Sequence, residues 1–197
     1  MKYQGDSFVK VVASIVLLLG ALSPAFAQSD WTTMKTGDLN QFDQIRYAQL
    51  TLAEKASLQT VTAPALQKCA AADAKLDAAD AFQRIRVRRA DLGGGSGFIV
   101  EGTGCLCDAG NCQFWLVTAD MQTLFNATAQ TYALLPATTS GRFDLITASH
   151  VSTTESTRAL YQFDGTKYQG AQCADINLTN AFGSVQMKPT ITLQKCQ

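Results

Sequence analysis

The spacing of apolar residues changes near residue 82 and divides the chain into a helical part and a β part. Beyond that point apolar and charged residues alternate, which is the period of a strand with one buried face. The alternating residues are Arg84, Ile85, Arg86, Val87 and Arg88. A turn is predicted at Gly93–Gly97, and Asp164-Gly165 is a hairpin signal. Further strands are predicted at 98–100, 114–117, 121–125, 130–135, 143–149, 158–163 and 167–172.

A helical period precedes these strands. Thr51 and Glu54 have the spacing of a capping box at its start. Apolar residues then recur at steps of three and four, which predicts one apolar stripe on a helix. The stripe contains Leu58, Val61, Ala65, Cys69, Ala72 and Leu76. Pro64 interrupts it and favours two short helices over one long helix, because proline lacks a backbone donor.

The N-terminus has the pattern of a secretory leader. Lys2 and Lys10 flank a polar start, and residues 11–22 are almost wholly apolar. Ala25-Phe26-Ala27 then supplies the small-x-small pattern that precedes signal-peptidase cleavage. An apolar run of about 12 residues is too short to cross a hydrocarbon core of roughly 30 Å. We therefore expect cleavage after Ala27, a secreted or periplasmic bacterial protein, and no membrane span in the mature chain.

Together these patterns predict an α+β, mainly β, fold. Short N-terminal helices lead into a disulfide-stapled antiparallel β domain, arranged as a small sheet, a sandwich or an open barrel. The expected divisions are a cleaved signal peptide at 1–27, a poorly ordered entry segment at 28–50, a short helical region at 51–80 and the antiparallel β domain at 81–197.

Charge excludes some classes of partner. Removal of the leader would leave 170 residues, the size of one domain, with 14 basic and 15 acidic residues. Such a balance provides no dense positive field, so neither nucleic acid nor an anionic membrane is an expected partner. Charged residues make up 16% of the whole chain, against about 25% in typical globular proteins. This low fraction is common among exported β-rich proteins.

Six cysteines in an exported chain indicate a disulfide framework. Six cysteines allow 15 pairings, so sequence alone does not determine the connectivity. Spacing favours Cys107–Cys112, because Gly110 and Asn111 between them are turn formers. A bond between Cys105 and Cys107 would be strained by the single residue separating them. The favoured set is Cys107–Cys112, Cys173–Cys196 and Cys69–Cys105.

Three arginines of the first predicted strand share one face. Arg84, Arg86 and Arg88 could form an anion-binding stripe for an acidic glycan, a phosphate or a protein partner. The alternative is a solvated outer face whose arginines pair with carboxylates of a neighbouring strand, such as Glu101. We favour the solvated face and keep the three arginines, with His150 and Glu155, as candidates for a binding surface.

His150 is the only histidine, and it limits catalytic arrangements to those built on this residue. A hydrolase would need it beside a carboxylate, for which Asp144 and Glu155 are nearest in sequence. Three cysteines with His150 could imitate a Cys₃His zinc site, but an oxidising compartment favours disulfides over thiolates. A redox Cys-x-x-Cys motif is absent. We therefore expect no catalytic residue, no metal and no cofactor, with the hydrolase as the alternative.

The β part resembles an uncharacterised family of exported bacterial proteins. The resemblance rests on the Gly-Asn-Cys-x-Phe-Trp segment within 104–115 and continues through segments at 130–132, 143–150 and 161–168. It implies the Cys107–Cys112 bond and no established activity. The loop at 90–97 resembles a degenerate FG-GAP-type calcium loop. Asp91 alone remains among its expected oxygen donors, and calcium takes six to eight, so no calcium site is assigned.

These observations predict an exported, disulfide-stabilised, non-enzymatic binding domain. Its expected partner is a protein or saccharide of the periplasm or cell envelope. The alternative is a hydrolase of an envelope or extracellular substrate that uses His150 with a nearby carboxylate. The identity of the ligand and the oligomeric state do not follow from the sequence.

Overall fold

The computed structural model describes residues 30–33, 49–72, 82, 85–180 and 187–196. Within these residues the chain forms two α-helices, α1 (Asp30–Thr33) and α2 (Leu52–Ala72), and ten strands. The strands are β1 (Ile85–Asp91), β2 (Ser96–Gly102), β3 (Cys107–Asp108), β4 (Asn111–Thr118), β5 (Thr123–Ala129), β6 (Thr131–Thr139), β7 (Arg142–His150), β8 (Glu155–Phe163), β9 (Tyr168–Asn180) and β10 (Met187–Gln194). The predicted leader and Arg84 lie outside the described residues.

The ten strands form two antiparallel sheets of five strands each, which confirms the mainly β prediction. In the first sheet the order is β1-β2-β4-β3, and β5 also pairs with β4. The second sheet is a meander in the order β10-β9-β8-β7-β6. A shared aromatic core joins the sheets face to face, so the fold is a sandwich. Within that core the rings of Phe114 and Tyr132 stack with centroids 4.7 Å apart.

The hairpin predicted at Asp164-Gly165 joins β8 to β9. Asp164 Oδ1 accepts backbone hydrogen bonds from Thr166 and Lys167, both at 2.8 Å. These two bonds, the Lys167 bond foremost, lower the pKa of Asp164 below its usual range. The aspartate therefore fixes the turn as an ionised acceptor. Strand β10 was not predicted, although Met187, Ile191 and Leu193 alternate with polar residues; it contains Pro189 and forms by pairing with β9.

Helix α2 corrects the prediction of two short helices, because it continues through Pro64. Its start is the predicted capping box: Thr51 N donates to Glu54 Oε2 at 2.7 Å, and Glu54 N donates to Thr51 Oγ1 at 3.2 Å. Both halves pack on one core, with Leu58 and Leu66 buried on either side of the proline. This shared burial holds the helix together at a position where local propensity would interrupt it.

The first sheet is buried on both faces. One face packs against α2, where Leu58, Val87, Val100 and Trp115 belong to a single core. The other face packs against the second sheet through Ile99, Phe114, Leu116, Phe125, Tyr132, Leu145, Phe163 and Tyr168. Because neighbouring residues of a strand point to opposite faces, Val87 faces α2 while Arg86 and Arg88 face the interior of the sandwich.

The outer face of the second sheet is covered at one point by α1. Trp31 is buried there and belongs to one core with Ile146 and Ala174. Arg158 Nη1 donates to the Trp31 carbonyl oxygen at 3.1 Å, and burial lowers the pKa of Arg158. Helix α1 lies in the segment 28–50, which was predicted to be poorly ordered. The other residues of that segment, except Gln49 and Leu50, lie outside the described residues.

Three disulfides join the pairs that the spacing favours. Cys69–Cys105 ties α2 to the 3₁₀ turn at Gly104–Leu106, and Cys107–Cys112 crosses from β3 to β4 with Cα atoms 3.9 Å apart. Cys173–Cys196 ties the residues after β10 to β9. Each bond therefore connects an element at the margin of the fold to a strand or turn of the sheets.

Candidate functional site

An open cavity lies between the sheets, at the end of the sandwich where β1 begins and β2 ends. We call it the mouth cavity; its volume is about 460 Å³. It is lined by Arg86, Arg88, Glu101, Gly102, Thr103, Gly104, Cys107, Cys112, Phe114, Ala129, Gln130 and Tyr132. This volume lies within the range of small-molecule binding sites, about 300–1,000 Å³. Strands of both sheets and the Cys107–Cys112 bond supply its walls.

Charged and polar side chains meet on one wall of the mouth cavity. Glu101 Oε1 accepts hydrogen bonds from both Arg88 Nη2 and the Tyr132 hydroxyl. The Arg88 guanidinium also lies over the Tyr132 ring, 5.7 Å from its centroid. Antiparallel pairing explains the arrangement, because Arg86 lies directly opposite Glu101 and Arg88 follows on the same face. The first and second sheets thus contribute to one network.

Arg88 carries hydrogen-bond donors that the protein does not use. The residue is only 4% exposed, and its Nε and Nη1 atoms are buried without a hydrogen-bond partner in the described part of the chain. Buried polar groups in proteins are almost always paired, and a missing partner costs about 1–3 kcal/mol. Glu101 therefore holds the guanidinium through Nη2, while the N–H groups of Nε and Nη1 have no hydrogen-bond acceptor among the described residues.

This burial corrects the prediction of a solvated arginine face. The predicted partner, Glu101, is the observed one, but Arg88 lies inside the sandwich, where the second sheet covers the face that carries it. Arg86 remains exposed at the opening of the cavity. The prediction failed because one strand does not reveal whether its polar face meets water or a second sheet.

Arg89 on the same strand has a different environment. It points to the α2 side and pairs with Glu54 at 2.7 Å, with 55% of its side chain exposed. This ion pair is separated from the mouth cavity by the sheet itself. Arg89 therefore supplies a control for charge effects that do not involve the cavity.

The network changes the ionisation of Tyr132. Burial, and then the charge of nearby Glu101, raise the pKa of Tyr132 well above its ordinary value. Burial also raises the pKa of Tyr168 to about 12. The Tyr168 hydroxyl donates to the Phe143 carbonyl oxygen at 2.7 Å. Both tyrosines are therefore neutral donors at physiological pH.

We expect alkaline pH to destabilise the protein through these two tyrosines. An unfolded tyrosine ionises near pH 10, whereas each folded one keeps its proton, so the unfolded state binds fewer protons above that pH. The free energy of unfolding then falls by about 1.4 kcal/mol per pH unit for each tyrosine, and the stabilisation is complete below pH 10. Urea unfolding between pH 8 and 11.5 measures the free energy of unfolding, and absorbance at 295 nm follows the ionisation of the tyrosines over the same range.

Tyr168→Phe is the control for the alkaline effect. It should remove one of the two late-ionising phenols from the absorbance titration and reduce the slope of stability against pH by about half. Ionisation of all described tyrosines near pH 10 in a protein that remains folded would contradict the prediction.

His150 is not assembled with either candidate carboxylate. Asp144 lies six residues away along β7, about 20 Å at strand spacing, and accepts from Gln162 Nε2 at 3.1 Å. Glu155 is nearer, but His150 pairs with Ser156, so the neighbouring Glu155 points to the opposite face. The described geometry therefore brings together neither pair of the hydrolase alternative.

The backbone of His150, rather than its ring, makes the local contacts. Its N–H donates to Asn111 Oδ1 at 2.7 Å, and its carbonyl oxygen accepts from Asn111 Nδ2 at 2.8 Å. Asn111 belongs to β4 of the first sheet, and His150 ends β7 of the second. One amide side chain therefore ties the sheets together beside the mouth cavity.

We expect Asn111→Ala to lower the free energy of unfolding by about 1–3 kcal/mol, because two backbone groups of His150 lose their partner. Asn126→Ala is the matched control, since the exposed Asn126 amide oxygen bonds only the Gln113 side chain in the described structure. Its expected effect is within about 0.5 kcal/mol. Urea unfolding of both variants decides; equal losses would show that the Asn111 bridge adds no stability.

The other chemical candidates of the sequence are accounted for within the described residues. Cys105, Cys107 and Cys112 are all in disulfides, so none is a thiolate that could join His150 around zinc. No group of three His, Cys, Asp or Glu side chains in the described ranges is placed to hold a metal ion. No described helix is long and apolar enough to cross a membrane.

Sequence reasoning did not identify Tyr132 and Gln130 as members of a site. Gln130 links β5 to β6 and Tyr132 lies near the start of β6, and both reach the cavity only because the second sheet folds over the first. The available signal was the alternation of arginines with apolar residues on β1 and the single acidic residue, Glu101, on the otherwise uncharged β2. That signal marks Arg88 and Glu101 but contains no information on the strand that covers them.

Comparison with known proteins gives no assignment. No protein-family model matches the chain, and no curated protein or solved structure matches it either. Function must therefore be inferred from the mouth cavity and its surroundings.

Proposed function

We propose that the chain is an exported, disulfide-stabilised domain that binds a protein or saccharide of the periplasm or cell envelope without transforming it. The observation that carries the proposal is the mouth cavity, where the buried Arg88 guanidinium has donors without partners. A site with unsatisfied, fixed donors and space for a small ligand is suited to recognition. The cysteines support export, because disulfides persist in oxidising compartments.

The arrangement of the titratable groups favours binding over catalysis. General acid–base chemistry requires a base within hydrogen-bond reach of its proton donor or acceptor. His150 is about 20 Å from Asp144 along β7 and faces away from Glu155. In the cavity itself, Glu101 is occupied by Arg88 and Tyr132, which hold it as a structural acceptor.

Binding and turnover of defined envelope components test the proposal. The purified disulfide-bonded protein is titrated by calorimetry with peptidoglycan fragments, acidic and neutral oligosaccharides and short peptides, and each mixture is then analysed for products by mass spectrometry. We expect saturable binding of at least one component, recovered unchanged. The double variant Arg88→Met/Glu101→Gln, which removes the buried ion pair as a unit, should abolish that binding.

Two outcomes would overturn the proposal. Product formation that disappears in His150→Ala would establish the hydrolase instead. Absence of binding to every class in the panel would remove the support for a recognition domain. Intact mass of the protein recovered from the periplasm tests export separately, since cleavage after Ala27 leaves Gln28 as the first residue.

A further inference from the structure

The mouth cavity has an excess of positive charge. Arg86, Arg88 and Glu101 are its charged lining residues in the described chain, which gives a formal charge of +1. Glu101 neutralises part of the Arg88 charge but uses only Nη2 of the guanidinium. An entering ligand therefore meets one uncompensated cation and two arginine side chains with unused donors, which favours an acceptor that carries negative charge.

The charge balance selects a single negative charge. One monoanion brings the described lining to neutrality. A second negative charge would lie in a partly closed site beside the Glu101 carboxylate, where like charges repel and desolvation is costly. The planar guanidinium matches a planar carboxylate, so a carboxylate satisfies both the charge and the shape.

The rest of the lining indicates a hydroxylated ligand rather than an apolar acid. Gln130 is exposed at the cavity and offers an amide, and Gly102 and Gly104 contribute backbone close to the space. Phe114 is the one large hydrocarbon side chain without a polar group in the lining, and it is stacked on Tyr132. A volume of about 460 Å³ accommodates a sugar residue with its hydroxyl groups.

We propose that the mouth cavity binds the carboxylate of an acidic sugar residue, with Arg88 and Arg86 as its partners; this rests on the proposed binding function and names the ligand class. Arg88 donates from a nitrogen that Glu101 leaves unused, and Arg86 closes over the carboxylate from the exposed side. In the free protein the unused Arg88 nitrogens are buried, so side chains of the cavity wall rearrange when the carboxylate reaches one of them.

The first measurement is a titration of ¹⁵N-labelled protein with sodium D-glucuronate, monitored at the Arg88 Nε–H signal. That signal is assigned by its loss in Arg88→Lys. We expect glucuronate to shift it saturably, while D-glucose, which has the same ring without the carboxylate, leaves it in place. D-Glucose 6-phosphate, a dianion near neutral pH, should bind at least about tenfold more weakly than glucuronate.

Two single-charge variants of β1 separate the cavity from general electrostatics. Arg86→Gln should weaken glucuronate binding about two- to fivefold, as expected for an exposed ion pair. Arg89→Gln removes the same charge from the opposite face of the strand and should leave the affinity unchanged. Both residues are exposed, so neither variant is expected to unfold the protein. Equal effects of the two substitutions would overturn the proposal.

Each remaining outcome has a defined meaning. Equal shifts with glucose and glucuronate, or no shift with either, overturn the carboxylate assignment. Binding of acetyl-Ala-Ala with a free C-terminus, in the absence of glucuronate binding, retains carboxylate recognition but overturns the acidic sugar as its source. If neutral envelope fragments bind equally to wild type and Arg86→Gln, the binding function stands and this inference fails.

Discussion

Reduction of the three disulfides is expected to lower the free energy of unfolding by about 9 kcal/mol at 25 °C. The closed segments span sequence separations of 36, 5 and 23 residues, and chain entropy assigns them about 4, 2 and 3.5 kcal/mol respectively. A typical domain is stable by only about 5–15 kcal/mol. Reduced protein should therefore be largely unfolded at a urea concentration that the oxidised protein tolerates.

Paired substitutions assign this loss to individual bonds. Cys69→Ala/Cys105→Ala should cost the most and Cys107→Ala/Cys112→Ala the least, in the order of their loop lengths, with urea unfolding as the measurement. The Cys107–Cys112 pair is the internal control, because its loop is short and β3–β4 pairing already closes it. A larger loss from this pair than from Cys69–Cys105 would show that loop entropy is not the main source of stabilisation.

Arg88→Met is expected to lower the free energy of unfolding by about 3–5 kcal/mol. The substitution fills much of the same volume but leaves Glu101, only 14% exposed, without its cationic partner. The buried carboxylate charge of Glu101 then causes the loss of stability, because among the described residues only the neutral Tyr132 hydroxyl still donates a hydrogen bond to it. Urea unfolding at pH 7 provides the measurement. Arg89→Met on the same strand is the matched control and should cost no more than about 1 kcal/mol.

A double-mutant cycle separates charge from packing. Arg88→Met/Glu101→Gln removes both charges and keeps an amide oxygen that can accept from Tyr132. We expect it to recover most of the stability lost in Arg88→Met, because buried ion pairs replaced as a unit are often neutral in effect. Strictly additive single effects, with a coupling below about 0.5 kcal/mol, would show that Arg88 acts through packing alone. The recovered variant is also the folded form without the buried ion pair that the binding experiment requires.

Alternation of apolar and polar residues, together with local turn residues, was sufficient to predict many of the strands and turns in the second half of the chain. The alternation around Ile85 and the Asp164-Gly165 turn predicted a strand and a hairpin that the structure contains. These signals are local, because a strand face and a two-residue turn are specified by residues a few positions apart. Among the cysteine pairs, only Cys107–Cys112 followed from its short spacing; Cys69–Cys105 and Cys173–Cys196, separated by 36 and 23 residues, were favoured as the pairs that remained.

Helix α2 and strand β10 show where local signals are overridden. Pro64 would interrupt an isolated helix, yet burial of Leu58 and Leu66 against one sheet face keeps both halves in a single helix. Strand β10 alternates apolar and polar residues but contains Pro189, which disfavours a strand; it forms by pairing with β9 and is tied to it by the Cys173–Cys196 bond. In both cases distant contacts supply free energy that the local sequence does not encode.

The sequence by itself determined the face of the first strand, the Asp164-Gly165 turn and the short Cys107–Cys112 loop, because each depends on residues close together in the chain. It placed Arg86 and Arg88 on one face and identified Glu101 as a partner. Only the tertiary structure decided that this face lies beneath a second sheet, which makes Arg88 a buried, incompletely paired cation in a cavity. The physical reason is that the environment of a strand face depends on what packs over it, and residues 130–132 lie more than forty positions from Arg88 in sequence.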